Sequence, residues 1–208
     1  MAKRIDSKLK IILLGGSSNV GKSTIGNALA TNLGWRCVST DSLAKYPGRP
    51  WPRRKQKVPD QVSDNYLDSR ADELVESLIL HHRRMSPLVA EFIWSFLKTT
   101  DDQRIVLEGS ALWPFIAAGH RLKEIGAVWL TASPETLRSR IEEGSRYQNA
   151  DEQSRAMMSR FLEKTILLDE KTTQLVTEHD CKVLDTDKFA SAEDIVSEIV
   201  NQFRAQLR

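Results

Sequence analysis

The sequence predicts an α/β domain built on a mainly parallel sheet, and three observations carry that expectation. Strand-like apolar runs alternate with helix-like amphipathic segments along all 208 residues. The first apolar run, LKIILLGG, ends in glycines and passes directly into a helical pattern. A chain of this length can bury a substantial core as one unit, and no repeat, low-complexity tail or second-domain boundary divides it.

Each element follows in order. After LKIILLGG, the segment GKSTIGNALATNL places Ile25, Leu29 and Leu33 at helical spacing, with Gly34 as its stop. WRCVST is a second short strand reaching Asp41. The stretch YPGRPWPRRKQKVPD holds four of the seven prolines and reads as irregular. A helix is expected from about 64 to 85, with Leu67, Ala71, Leu74, Val75, Leu78 and Ile79 on one face. A second should begin at Ser86 as N-cap, with Pro87 in its first turn. RIVLEG and GAVWLTA are the third and fourth strands. Ser133 and Pro134 repeat the cap-and-proline signal before PETLRSRIEE, and a longer helical region covers Asp151 to about Glu178. CKVLDTD is a fifth strand, and SAEDIVSEIVNQF closes the chain as an amphipathic helix.

The bulk numbers narrow the function classes. A net charge of +2, with 40% hydrophobic and 28% charged residues, gives no global electrostatic reason to bind nucleic acid or a membrane. The longest apolar runs fall far short of the ~20 residues needed to span a bilayer. The basic N-terminus has no apolar h-region behind it, so a cytoplasmic protein is expected. Cys37 and Cys181 fall in short apolar, strand-like segments and read as buried reduced thiols.

One motif carries most of the chemistry. Gly16 through Gly21, Lys22 and Ser23 spell G-x-x-x-x-G-K-S between an apolar strand and a helix. Glycines let such a loop wrap around phosphate, its N–H groups and the helix N-terminus supply positive ends, and the lysine reaches the β- and γ-phosphates. Gly16, Ser17, Ser18, Asn19, Val20, Gly21, Lys22, Ser23 and Thr24 are therefore the candidate nucleotide-binding residues, with the Ser23 hydroxyl a ligand for Mg²⁺.

Phosphoryl transfer needs three further things: a base for the acceptor hydroxyl, cations over the moving group and a seat for the acceptor. Asp41, just past the second strand, should face the same crevice as the phosphate loop and can serve as base. The alternative is a turn cap. Glu108 ends the third strand in a Walker-B-like position, as a Mg²⁺ contact or an acceptor contact. Arg140 and Arg146 follow the fourth strand and can close over phosphates, whereas Arg138 has Glu142 at i, i+4. Lys45, Arg49, Arg53, Arg54, Lys55 and Lys57 run without an acid, with Trp51 among them. They form either an acceptor pocket for an anion, with Arg49, Arg53 and Arg54 as its candidates, or a solvated basic loop; the run is too short to favour nucleic acid. The adjacent pair His81–His82 cannot share a helix face for a metal and reads as a helix end.

Taken in order, ILLGGSSNVGKST, STDSLAKYPGRPW, IVLEGS and PETLRSRI resemble the P-loop small-molecule kinases, and within them 2-phosphoglycerate kinase-like, zeta-toxin-type and chloramphenicol phosphotransferase-like proteins. The resemblance implies a single P-loop NTPase domain, a five-stranded parallel sheet in the order 2-3-1-4-5 with helices on both faces, and an arginine-bearing lid. It implies ATP and Mg²⁺, and on this sequence it points to Lys22, Ser23, Asp41, Arg140 and Arg146. Residues 42–100 would then be the acceptor-binding insertion and 134–150 the lid. The implied strand order puts Cys37 and Cys181 at opposite edges. The D-R-x-x-R-Y signature of nucleoside monophosphate kinases is missing. The resulting expectation is an ATP-dependent transferase acting on a hydroxyl of a small, anionic metabolite. A nucleotide or nucleotide-sugar kinase, and an ATP-binding regulatory protein that transfers nothing, are the alternatives. Acceptor identity and oligomeric state stay open.

Overall fold

The computed structural model describes residues 5–43, 48–52, 57–99, 102–114 and 123–204. Its strands are β1 (Ile11–Gly16), β2 (Arg36–Ser39), β3 (Ile105–Glu108), β4 (Ile125–Thr131) and β5 (Val183–Asp185). The helices among the described residues are α1 (Lys22–Leu33), α2 (Asp60–Asp68), α3 (Ala71–Leu97), α4 (Pro134–Ser145), α5 (Glu152–Glu178) and α6 (Ala192–Gln202). All strand pairs are parallel and the sheet runs β2-β3-β1-β4-β5, the order the resemblance implied.

The period-2 alternation of β1 divides the core between two faces. Ile12 and Leu14 point to the side covered by α1 and α6, where Ile25, Leu29, Ile195 and Ile199 meet them. Ile11 and Leu13 point to the side covered by α3, against Val89, Ile93 and Phe96. β1 is the central strand and is buried throughout, which is why it reads as an unbroken apolar run. At the carboxyl end of the sheet, α2, α4 and α5 pack together around Val62, Tyr66, Ile141 and Phe161.

Two sequence expectations need correction. The helix boundary falls at Ser69–Arg70, not at Ser86: α3 is continuous from Ala71 to Leu97 with Pro87 inside it. Its start is marked by Glu73, whose carboxylate accepts from the Arg70 N–H at 2.7 Å. An interior proline costs about 3 kcal/mol. Leu78, His82 and Met85 before it and Val89, Ile93 and Phe96 after it are all buried, and each buried apolar side chain contributes roughly 1.5–3 kcal/mol. Tertiary burial on both sides outweighs the missing bond. Cys181 precedes β5 instead of lying in it, and neither cysteine is fully buried; they stand at opposite edges of the sheet.

Candidate phosphate-binding and acceptor site

The loop between β1 and α1 is shaped for an anion. Gly16 has φ 130° and the backbone of Leu130 presses so close that a Cβ would sit 2.4 Å from its carbonyl oxygen. Gly21, at φ 102°, is the N-cap of α1; no side chain caps that end, and its first turn holds no acid. The terminal N–H groups and the positive end of the helix dipole therefore remain directed at whatever enters the loop. Asn19 takes φ 62°, and its buried Nδ2 has no partner among the described residues.

The loop is braced from beneath by a residue that the sequence reading passed over. Asp169 of α5, 6% exposed, accepts from the Ser17 hydroxyl at 2.6 Å and also from the Thr131 hydroxyl of β4. Burial pushes its carboxyl above the ordinary range, and the bonds from Ser17 and Thr131 oppose that rise. Lys22 is buried and donates to the Ser17 carbonyl at 2.5 Å. Burial lowers its pKa, against the attraction of Glu108, Asp41 and Asp169 and with the repulsion of Arg49. Those opposing influences mark the charges gathered around the lysine.

Two strand ends bring the carboxylates together. β2 and β3 pair with Ser39 opposite Glu108. The chain then turns through the single 3₁₀ turn Thr40–Ser42, where Ser39 accepts from the Asp41 N–H at 3.3 Å. Ser39 is thus the capping residue, and the Asp41 carboxylate lines the cleft. Gly109 permits this convergence: at φ 156°, a Cβ on it would lie 1.8 Å from the Thr40 hydroxyl. Glu108 is buried at the cleft wall and raises the Cys37 thiol further, a group that burial already lifts, to about 11.

A single cleft of about 930 Å³ runs from the phosphate loop across Asp41 and Glu108 to a second compartment. After β5, Thr186, Phe189, Ser191 and Ile195 line it. It is also lined by Arg49, Trp51, Lys57, His81, His82, Phe161 and Lys164. Of the two arginines expected in the lid, only Arg140 reaches the site, donating from Nη1 to the Asn19 carbonyl at 3.1 Å. Arg146 instead closes α4 in the left-handed conformation at φ 58°, exposed and outside the cleft lining. Six residues beyond Arg140, it belongs to another face of the chain. Arg138 pairs with Glu142 at 3.8 Å. Arg49 is held over the Trp51 ring at 5.6 Å, whereas Arg53 and Arg54, with Lys45 and Lys55, lie outside the described residues. Ser18, Val20, Ser23 and Thr24 line the cleft with the rest of the loop.

His82 is not a helix end. It is buried in the middle of α3, and its Nδ1 accepts from the Trp113 indole at 3.1 Å. That bond makes the ring neutral with its proton on Nε2, and burial together with His81, Lys22 and Lys164 lowers its pKa to about 3. Lys164 was missed altogether. It is 3% exposed and donates to the Tyr66 hydroxyl at 2.6 Å. Both Lys164 and Asp169 interrupt the buried stripe of α5 that runs Phe161, Thr165, Leu168, Thr172, and a charge at a core-facing helical position is the signal that could have found them.

The chain is similar in structure to a gluconokinase from Sinorhizobium meliloti 1021, at TM-score 0.44 and 16% identity over 93% of this chain and 91% of that one. It is similar to a deoxyadenosine kinase from M. mycoides with bound dATP, at 0.49 and 14% over 92% and 98%. It is also similar to a shikimate kinase from Acinetobacter baumannii in complex with shikimate, at 0.47 and 17% over 95% and 96%. No curated protein matches it by sequence. No described helix is long and apolar enough to cross a membrane. The model of the AAA domain family matches residues 12–160, which include the phosphate loop, both convergent carboxylates and Arg140, and the chain belongs to that family.

Proposed function

We propose that this protein is an ATP-dependent phosphotransferase that moves the γ-phosphoryl group to a hydroxyl of a small, anionic metabolite. The observation that carries the reading is the convergence of Asp41, Glu108 and Lys22 in a cleft that continues past the phosphate loop into a second, walled compartment. A nucleotide hydrolase or switch needs the loop; the compartment beyond the carboxylates is what an acceptor requires.

In this reading the loop N–H groups and Lys22 hold the β- and γ-phosphates, and the apolar lining around Phe189 and Ile195 receives the base. Lys22 leaves the Ser17 carbonyl to do so. The acceptor hydroxyl attacks the γ-phosphorus, the bond from that phosphorus to the β–γ bridging oxygen breaks, and ADP departs. Asp41 takes the hydroxyl proton. Arg140, beside Asn19, offsets charge on the transferring group. Ser23 and Glu108 are the residues that would hold Mg²⁺. No group of three metal-binding side chains is present among the described residues, and a lone carboxylate with a hydroxyl suits an ion that keeps water and phosphate oxygens as its other ligands. When bound, Mg²⁺ neutralises phosphate charge and orients the γ-group.

The test is a transfer assay with γ-labelled ATP, Mg²⁺ and a panel of hydroxy acids, sugar acids, sugar phosphates, nucleoside monophosphates and nucleotide sugars, with mass detection of product. Asp41→Asn should keep ATP affinity and lose transfer by about 10²–10⁴-fold. Undiminished transfer by that variant would remove Asp41 from its role. Label appearing only as inorganic phosphate, even with a cell metabolite extract, would replace the kinase by an ATPase.

A further inference from the structure

Within the kinase reading, we propose that Lys164 is the anion anchor of the acceptor compartment, so that the acceptor carries a carboxylate or phosphate seated on this ammonium beside the Trp51–Phe161 pair. The basic loop was the sequence's candidate for that task. Arg49 of that loop lines the compartment, and the geometry adds to it a buried lysine beside the same aromatic pair.

The compartment is assembled from three elements. α5 presents Phe161 and Lys164 three residues apart, hence on one face. α2 brings Tyr66, whose hydroxyl accepts from Lys164 Nζ at 2.6 Å and whose ring lies 5.1 Å from it. The loop before α2 brings Trp51, packed edge-on against Phe161 with centroids 4.8 Å apart and planes at 78°. Lys164 Nζ sits 4.5 Å above Phe161, and the Arg49 guanidinium sits 5.6 Å above Trp51. Two cations therefore flank one aromatic pair, and Lys164, Arg49, Trp51 and Phe161 all line the cleft.

A lysine in this position is expensive for the fold alone. Burial drives its pKa down to about 7, and Phe161 and Tyr66 face the ammonium with aromatic surface where water would otherwise hydrate it. Leucine or methionine would fill the same volume at lower cost. Such a charge is retained where a ligand uses it, and an anion brought against the ammonium restores the interaction that burial removes. Tyr66 and Phe161 hold the ammonium in place, so the anion meets a fixed donor at little cost in side-chain entropy. Asp41 lines the same cleft as Lys164.

The test uses the full chain with a non-hydrolysable ATP analogue and Mg²⁺ on the donor side, so that anions cannot respond through the phosphate loop. Inorganic phosphate is titrated while the Lys164 ¹³Cε resonance, identified by its loss in Lys164→Met, is followed across roughly pH 5 to 10. Saturating phosphate should raise the Lys164 midpoint by about one pH unit or more. Phosphate affinity should fall by at least ~30-fold in Lys164→Met and stay within ~3-fold in Lys164→Arg. Matched pairs then separate the sources: hydroxy acids against their amides, and sugar phosphates against the free sugars. The preference for the charged member should disappear in Lys164→Met. An unmoved midpoint, or equal anion affinity in wild type and Lys164→Met, overturns the proposal. Neither readout requires transfer. A protein that binds anions at Lys164 but transfers nothing would refute only the kinase reading; active transfer with an unchanged acceptor KM in Lys164→Met would refute only the anchor.

Discussion

Replacing Lys164 by methionine should make the unliganded protein more stable, and the size of the effect can be worked from its surroundings. Methionine fills a similar volume and leaves no charge. The fall of the Lys164 pKa from the ordinary 10.5 to about 7 corresponds to about 5 kcal/mol of cost for the buried ammonium, at ~1.4 kcal/mol per pH unit. That cost is already net of the contacts the charge makes over Phe161 and Tyr66; against it, the variant loses the bond to Tyr66, about 1–3 kcal/mol. The net gain is about 2–4 kcal/mol below neutral pH, or a Tm higher by roughly 4–16 °C for a chain of this size.

The pH dependence gives the sharper check. Below about pH 7 both folded and unfolded chains carry the proton, and the full cost is present. Between there and 10.5 the unfolded chain binds a proton that the folded one has released, so wild-type stability rises with pH. Among the described residues, Tyr66 from α2 and His82 from α3 are titratable groups beside Lys164 on neighbouring elements. His82 exchanges its proton below this window. Urea unfolding of both proteins should therefore show the gap between them narrowing as pH climbs from about 6 to 10, with the order reversed at the alkaline end once the ammonium cost is gone. A gap that stays constant with pH, or a variant less stable than wild type at the acid end, would refute the reasoning.

Two further substitutions test how the site is held. Asp169→Ala removes the acceptor shared by Ser17 and Thr131; relief of a buried carboxylate offsets part of the loss, leaving a destabilisation of about 2 kcal/mol, and calorimetry should show ATP affinity reduced roughly 10-fold as the loop floor loosens. Arg140→Ala should lower kcat/KM by about 10²-fold, whereas Arg146→Ala, at an exposed position outside the cleft, should leave steady-state kinetics of transfer near wild type.

What the sequence made legible follows from the range of the interactions involved. The sheet and its flanking helices were readable because each strand is a local apolar run and each helix a local period. The phosphate loop was readable because nine consecutive residues build it. Asp41 and Glu108 could be placed by topology, since strand ends in a parallel sheet share one edge. The failures have a different origin. Pro87 looked like a helix start because the rule for proline is local, while the burial that carries α3 through it comes from β1 and β3 after the proline and from Trp113 and from Leu168 of α5 before it. Arg146 looked equivalent to Arg140 because spacing alone does not say where a helix ends.

Lys164 and Asp169 are more instructive. Both stand in the middle of a long amphipathic helix, where a charged residue is ordinarily a solvated one. Their roles arise only when α5 is laid against α2, β4 and the phosphate loop, placing Lys164 98 residues from Tyr66 and Asp169 152 residues from Ser17 along the chain. The donor half of the site is written in one contiguous segment because phosphate recognition uses backbone N–H groups, which any correctly shaped loop supplies. In the proposed reading the acceptor half is written in side chains from three separate elements, and that is the half whose chemistry sets the substrate. An isolated motif can therefore announce the reaction, but the substrate is recorded in the buried charges that the motif does not contain.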